Sequence, residues 1–136
     1  MIQMSAANYQ KLLKSKKRGP AKIRFNSASG NVLEKEVQKS ILDYLSLNQI
    51  FHWKVNNVGI KKENGSFIPT GLIGISDILG ILPGGKFLAI EVKRPGGKPT
   101  PAQLEFIKNI NDNGGLAFWT DSLDDVMEVI EKELKR

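Results

Sequence analysis

The chain predicts an α/β fold, a mixed sheet flanked by helices, behind a basic N-terminal arm. Three observations carry that prediction. Apolar residues recur at helical spacing from Leu33, two apolar strand-like runs flank Pro83-Gly84-Gly85, and a helix–strand–helix pattern follows Thr100. At 136 residues the sequence suits one core better than two. Its hydrophobic fraction of 40% is ordinary for a globular domain.

Residues 1–32 read as an arm and residues 33–136 as one folded domain. Within the arm, Tyr9 to Leu13 could make a short helix, but Gly19-Pro20 and Ser27-Ala28-Ser29-Gly30 interrupt anything longer. From Leu33, residues Val37, Ile41, Tyr44, Leu45 and Asn48 fall on one helical face, with Glu34 and Gln38 along its edge. Phe51 to Val55 reads as a strand. Residues 56–75 form a Gly- and Asn-rich connection, and Asn64-Gly65 marks a hairpin flap within it.

Ile78 to Leu82 and Phe87 to Lys93 are two further strands. Gly96-Gly97-Lys98-Pro99 breaks the chain. Thr100 then caps a helix with Pro101 at its first position, where a missing N–H costs little. That helix ends at Gly114-Gly115, Leu116 to Thr120 is a strand, and Ser122 caps a final helix reaching about Leu134. Asp124 and Asp125 at its start, with Lys132, Lys135 and Arg136 at its end, suit the helix dipole.

Composition removes several classes of function. Without cysteine there are no disulfides, zinc–thiolate sites or thiol nucleophiles. No apolar run is long enough to span a bilayer, and the N-terminus lacks a secretory apolar stretch. A cytoplasmic or host-cell interior location, rather than secretion or a membrane, is expected. The formal charge is +6 and unevenly spread. Lys11, Lys14, Lys16, Lys17, Arg18, Lys22 and Arg24 give residues 1–33 a charge of +7 with no acid, and the remainder is −1. A basic arm on a near-neutral body fits a polyanionic partner such as DNA, and equally fits a solvated tail.

The informative chemistry lies in Leu88-Ala89-Ile90-Glu91-Val92-Lys93. Alternation puts Leu88, Ile90 and Val92 on the core face, and Phe87, Ala89, Glu91 and Lys93 on the other. A three-residue Pro83-Gly84-Gly85 loop pairs Leu82 with Lys86, so Asp77 falls opposite Glu91 and Leu79 opposite Ala89. A two-residue turn would put Asp77 opposite Val92, on the wrong face. Two adjacent carboxylates repel unless a cation lies between them, and hard oxygen ligands suit Mg²⁺ or Mn²⁺. Lys93 would then orient or deprotonate an attacking water, or stabilise transition-state charge. A surface Glu91–Lys93 ion pair is the bland alternative.

Asp77 followed fourteen residues later by Glu91-Val92-Lys93 resembles the PD-(D/E)XK nuclease pattern. More narrowly, five segments in order are similar to the VRR-NUC branch of that superfamily: Glu34-Lys35-Glu36-Val37-Gln38, Val55-Asn56-Asn57, Gly71 to Asp77, Ile90 to Arg94, and Thr100-Pro101-Ala102-Gln103. The resemblance covers about residues 33–134 and leaves the arm unmatched. Ser76 departs from it, since the family usually has proline before the aspartate.

The resemblance implies a restriction-endonuclease-like αβββαβ core. It implies that Asp77 and Glu91 bind the metal through their carboxylates and Val92 through its carbonyl, and that Lys93 is the catalytic lysine. Glu34 would reach the metal directly or through water. Glu36 is the rival for that role, and periodicity favours Glu34. The resemblance also makes Gln103 an active-site residue, whereas Thr100-x-x-Gln103 by itself reads as a capping box. Gln38 is a polar partner of the site or a surface residue. Lys61, Lys62, Arg94 and Lys98 are candidate phosphate contacts or a solvated rim.

Other residues read as structural. His52 lacks partners for a zinc site, Trp53 and Trp119 pack the sheet, and Gly84-Gly85-Lys86 lacks the spacing of a phosphate loop. The resulting expectation is an Mg²⁺- or Mn²⁺-dependent endonuclease acting on DNA. The resemblance implies structure selectivity for branched DNA such as Holliday junctions, and a homodimer whose two-fold symmetry relates paired cuts. The alternatives are a non-catalytic DNA-binding module on the same fold, and an α/β interaction domain with a structural charge pair.

Overall fold

The computed structural model describes residues 33–56, 59–69 and 71–136. The basic arm of residues 1–32 and the motif residue Asn57 lie outside the described residues. In chain order the elements are α1 (Glu34–Leu47), β1 (Phe51–Lys54), β2 (Gly59–Lys61), β3 (Phe67–Pro69), β4 (Ile78–Ile81), β5 (Phe87–Val92), α2 (Pro101–Asp112), β6 (Leu116–Thr120) and α3 (Leu123–Leu134). Four strands form one sheet in the order β1-β4-β5-β6, while β2 and β3 pair separately as the hairpin at Asn64-Gly65.

The sheet is mixed. β1, β4 and β5 run antiparallel, β4 and β5 joined by a tight loop and β1 and β4 by a long connection that holds the β2–β3 hairpin, whereas α2 carries the chain back so that β6 lies parallel to β5. Helices cover both faces. Val37, Ile41, Tyr44 and Leu45 of α1 and Val126, Met127 and Ile130 of α3 pack with Ile78, Leu88, Ile90 and Val92. On the opposite face Phe106 of α2, with Ile107 and Ile110, packs on Leu79, Ala89 and Ala117. The face that carries Ala89 and Glu91 is thus a second core under α2, and Ala89 is fully buried there. Strand ends fall one residue short of expectation at Val55, Leu82 and Lys93, and α2 stops at Asp112, before Gly114-Gly115.

The Pro83-Gly84-Gly85 connection adopts the required length. The Leu82 N–H donates to the Lys86 carbonyl at 2.8 Å, and Gly84 and Gly85 both have positive φ, at 95° and 94°. Ile78 consequently pairs with Ile90, Leu79 with Ala89 and Gly80 with Leu88. One step further this register sets Asp77 opposite Glu91. On the other side of Asp77, the Val55 N–H donates to its carbonyl at 2.8 Å, extending the β1–β4 pairing. Val55, Asp77, Glu91 and Trp119 therefore form one row across the end of the sheet.

Gly74 ties the segment preceding Asp77 to α2. Its φ is +78°, and a Cβ there would lie 2.3 Å from the Ala102 carbonyl oxygen and 2.9 Å from the Gln103 nitrogen. Only glycine admits both the left-handed backbone and that approach. Gly65 has a similar φ of +82° but open space around it, which makes it a control. Gly65→Ala should cost about 1–2 kcal/mol, the left-handed penalty alone. Gly74→Ala should cost distinctly more in urea unfolding; equal losses would mean that the backbone contact with α2 contributes nothing.

Candidate active site

Four side chains meet where β4 begins and β5 ends. Glu91 is buried, at 1% exposure, although it is a carboxylate. Its Oε1 accepts from Lys93 Nζ at 3.1 Å and from Gln103 Nε2 at 2.9 Å. Its Oε2 is buried without a hydrogen-bond partner. Asp77 lies beside it, half-buried, with Oδ2 accepting from the Val92 N–H at 2.8 Å. That bond orients the Asp77 carboxylate toward the end of β5 and uses strand backbone to do so.

Gln103 closes the capping box and also reaches Glu91. Thr100 Oγ1 accepts from the Gln103 N–H at 3.3 Å, and Gln103 Oε1 accepts from the Thr100 N–H at 2.8 Å, closing the capping box. Since the amide oxygen must face that backbone donor, the amide nitrogen is left to face Glu91. The cap therefore fixes which end of the amide the carboxylate meets.

The electrostatics follow from this enclosure. Burial first, then the negative charge of Asp77, push the Glu91 carboxyl up to about 7, against the opposing pull of Lys93. A buried carboxylate with one unpartnered oxygen next to a second carboxylate is a donor set for a hard divalent cation, so the residues present fit Mg²⁺ or Mn²⁺. Among the described residues no three or more His, Asp or Glu side chains gather closely enough to hold a metal ion. Asp77 and Glu91 converge as a pair that Glu34 and Glu36 do not join. Glu34 is exposed and Glu36 half-buried in the first turn of α1. Periodicity locates Glu34 on the helix edge but says nothing about how far that edge stands from the strand ends.

The remaining candidates surround this cluster or lie elsewhere. Arg94 and Lys98 are exposed in the segment that follows Lys93, and Lys61 and Lys62 are exposed at the β2–β3 hairpin. Gln38 is half-buried on α1. His52 is held structurally, its Nδ1 2.7 Å from the Ile50 carbonyl. Trp53 and Trp119 are each 40% exposed, more open than sheet packing alone would make them. A cavity of about 500 Å³ lined by Leu82, Lys86, Glu133 and Arg136 contains none of the site residues. Sequence reasoning missed Gly74, whose one signal was a glycine three residues before the aspartate; its partner, Ala102, is remote in sequence.

The raised Glu91 carboxyl has a consequence for stability. Without bound cation, the folded protein holds that proton up to about pH 7, whereas the unfolded chain releases it near 4.5. Stability from this group is therefore complete below about pH 4.5 and is lost as pH rises through about 7. In EDTA, wild type should lose stability between pH 5 and 8 relative to Glu91→Gln. Parallel stability curves for the two proteins would contradict this.

Comparison with known proteins agrees with the geometry. The segment over residues 33–122 matches the VRR-NUC domain. A stretch of 38 residues is 50% identical to the protein named "Putative nuclease p44" of Acyrthosiphon pisum secondary endosymbiont phage 1, covering 28% of this chain. The match spans 41% of that relative's length. The family match encloses Asp77, Glu91, Lys93 and Gln103 and takes in well over half of the sequence: the chain belongs to the VRR-NUC domain family of PD-(D/E)XK-like nucleases.

Proposed function

We propose that this protein is an endonuclease that hydrolyses DNA phosphodiester bonds with Mg²⁺ or Mn²⁺. The observation that carries the reading is the buried Glu91, with Asp77 beside it, Lys93 and Gln103 on one oxygen, and the other oxygen unpartnered. Asp77, Glu91 and the Val92 carbonyl would hold the cation, with Glu34 reaching it through water. When bound, such an ion polarises the phosphate and lowers the pKa of a water molecule.

The protein's own groups do the rest. Gln103 holds Glu91 through its amide and is itself held by the helix cap, so the carboxylate is positioned before substrate arrives. Lys93, 3.1 Å from Glu91 Oε1, keeps its ammonium at the strand end, where it orients the attacking water or neutralises charge developing on the phosphate. Arg94 and Lys98, exposed in the segment after Lys93, would take phosphates flanking the cut, with Lys61 and Lys62 on the hairpin as further contacts. The basic residues of the arm supply sequence-independent attraction to DNA.

On the finer question of substrate, we propose selectivity for branched DNA such as Holliday junctions, cut by a homodimer. Family resemblance supports this, as does the fact that two paired incisions need two symmetry-related sites. With Mg²⁺, wild type should cut four-way or flapped DNA faster than a linear duplex of the same sequence. Glu91→Ala and Lys93→Ala should each reduce cleavage at least a hundredfold while retaining DNA binding. Binding without cleavage by wild type would favour a DNA-binding module on this fold. Cleavage of linear duplex alone would remove the junction reading.

A further inference from the structure

The parallel pairing of β5 and β6 sets Trp119 next to Glu91. Register partners on neighbouring strands project from the same face, with the strands about 5 Å apart. The preceding pair on that face, Ala89 and Ala117, lies in the core under α2, so Glu91 and Trp119 both project on the α2 side. Phe118, the residue between Ala117 and Trp119, packs into the opposite core. Yet Trp119 is 40% exposed while its neighbour Glu91 is 1% exposed. A large indole thus borders the buried carboxylate and still presents surface to solvent. Trp53 is equally exposed, but it sits on β1 at the other edge of the sheet, in the row of Leu79, Ala89 and Ala117.

We infer that Trp119 is a substrate-contacting residue that stacks on a nucleobase adjacent to the scissile phosphate. The inference rests on the nuclease reading above. A phosphate at the Asp77–Glu91–Lys93 cluster has its own nucleobase one sugar away, and Trp119 stands on the strand adjoining Glu91. Aromatic stacking on a base is tolerant of sequence, because every base has a π face. In an intact duplex both faces of a base are already covered by neighbours. The base that meets Trp119 is therefore one whose stack is interrupted, as at a branch point or in a flap. Trp119 turns the neighbourhood of the cut into a test for unstacked DNA without reading its sequence.

The experiment uses the full chain with flapped and four-way DNA, in Ca²⁺ for binding and Mg²⁺ for cleavage. Matched substrates carry an abasic residue at each position where the branch or flap interrupts stacking beside the cut. Trp119→Ala should weaken binding of the intact branched DNA on the order of tenfold or more, and Trp119→Phe should recover most of it. On the matching abasic DNA, wild type and Trp119→Ala should bind alike. In a Trp53→Phe background, Trp119 fluorescence should be quenched by the intact DNA but not by the abasic one. Equal loss on intact and abasic DNA would overturn the stacking contact, since a merely structural tryptophan gives that result. So would unchanged binding by Trp119→Ala when wild type cleaves. Failure of wild type to bind or cut any of these DNAs would overturn the nuclease reading itself, and this inference with it.

Discussion

Burying a carboxylate costs several kcal/mol unless opposite charge and hydrogen bonds meet it. Glu91 is met on one oxygen only, by Lys93 and Gln103, with Asp77 adding repulsion. Placed without purpose, such a group would be a defect in the sheet. The fold tolerates it because the surrounding layers are apolar and well packed. Leu88, Ile90 and Val92 fill one core, and Ala89 with Phe106 fills the other. On the metal-dependent reading proposed above, the destabilisation at Glu91 is the reverse side of an affinity for cations, and much of the architecture nearby keeps that carboxylate where it is.

Three devices converge on it. The loop at Pro83-Gly84-Gly85 sets the register that brings Asp77 opposite Glu91. The capping box at Thr100 orients the Gln103 amide, so the same interaction that starts α2 also grips Oε1. Gly74 lets the segment preceding Asp77 lie against the backbone of that same first turn. Strand, loop and helix start are therefore coupled through the site, and a shift in any one would move a charged group relative to the others.

Much of this was legible from local chemistry. Alternation in Leu88 to Lys93 separated the faces of β5, and two glycines after Pro83 permitted the odd-length loop that an Asp77–Glu91 pairing needs, without excluding the two-residue turn. The spacing of Thr100 and Gln103 announced the cap that the structure shows, and the same side chain also donates to Glu91. What stayed hidden depends on contacts remote in sequence. The distance of Glu34 from the strand ends is set by how α1 packs, which periodicity does not encode. The place of Trp119 beside Glu91 required the sheet order, since β6 pairs with β5 only after α2 intervenes. The approach of Gly74 to Ala102 joins residues on separate elements that no short motif relates.

We propose above that the Asp77–Glu91 pair is held in readiness for a divalent cation. Calorimetric titration of Mn²⁺ into wild type and Glu91→Gln, repeated in buffers of different ionisation enthalpy, tests it most directly. Wild type should bind Mn²⁺ and release a proton on binding, more of it at pH 6 than at pH 8, because the cation displaces the proton that Glu91 carries. Glu91→Gln should lose that binding and that proton. Absence of Mn²⁺ binding to wild type, or identical binding and proton release by the variant, would contradict the account.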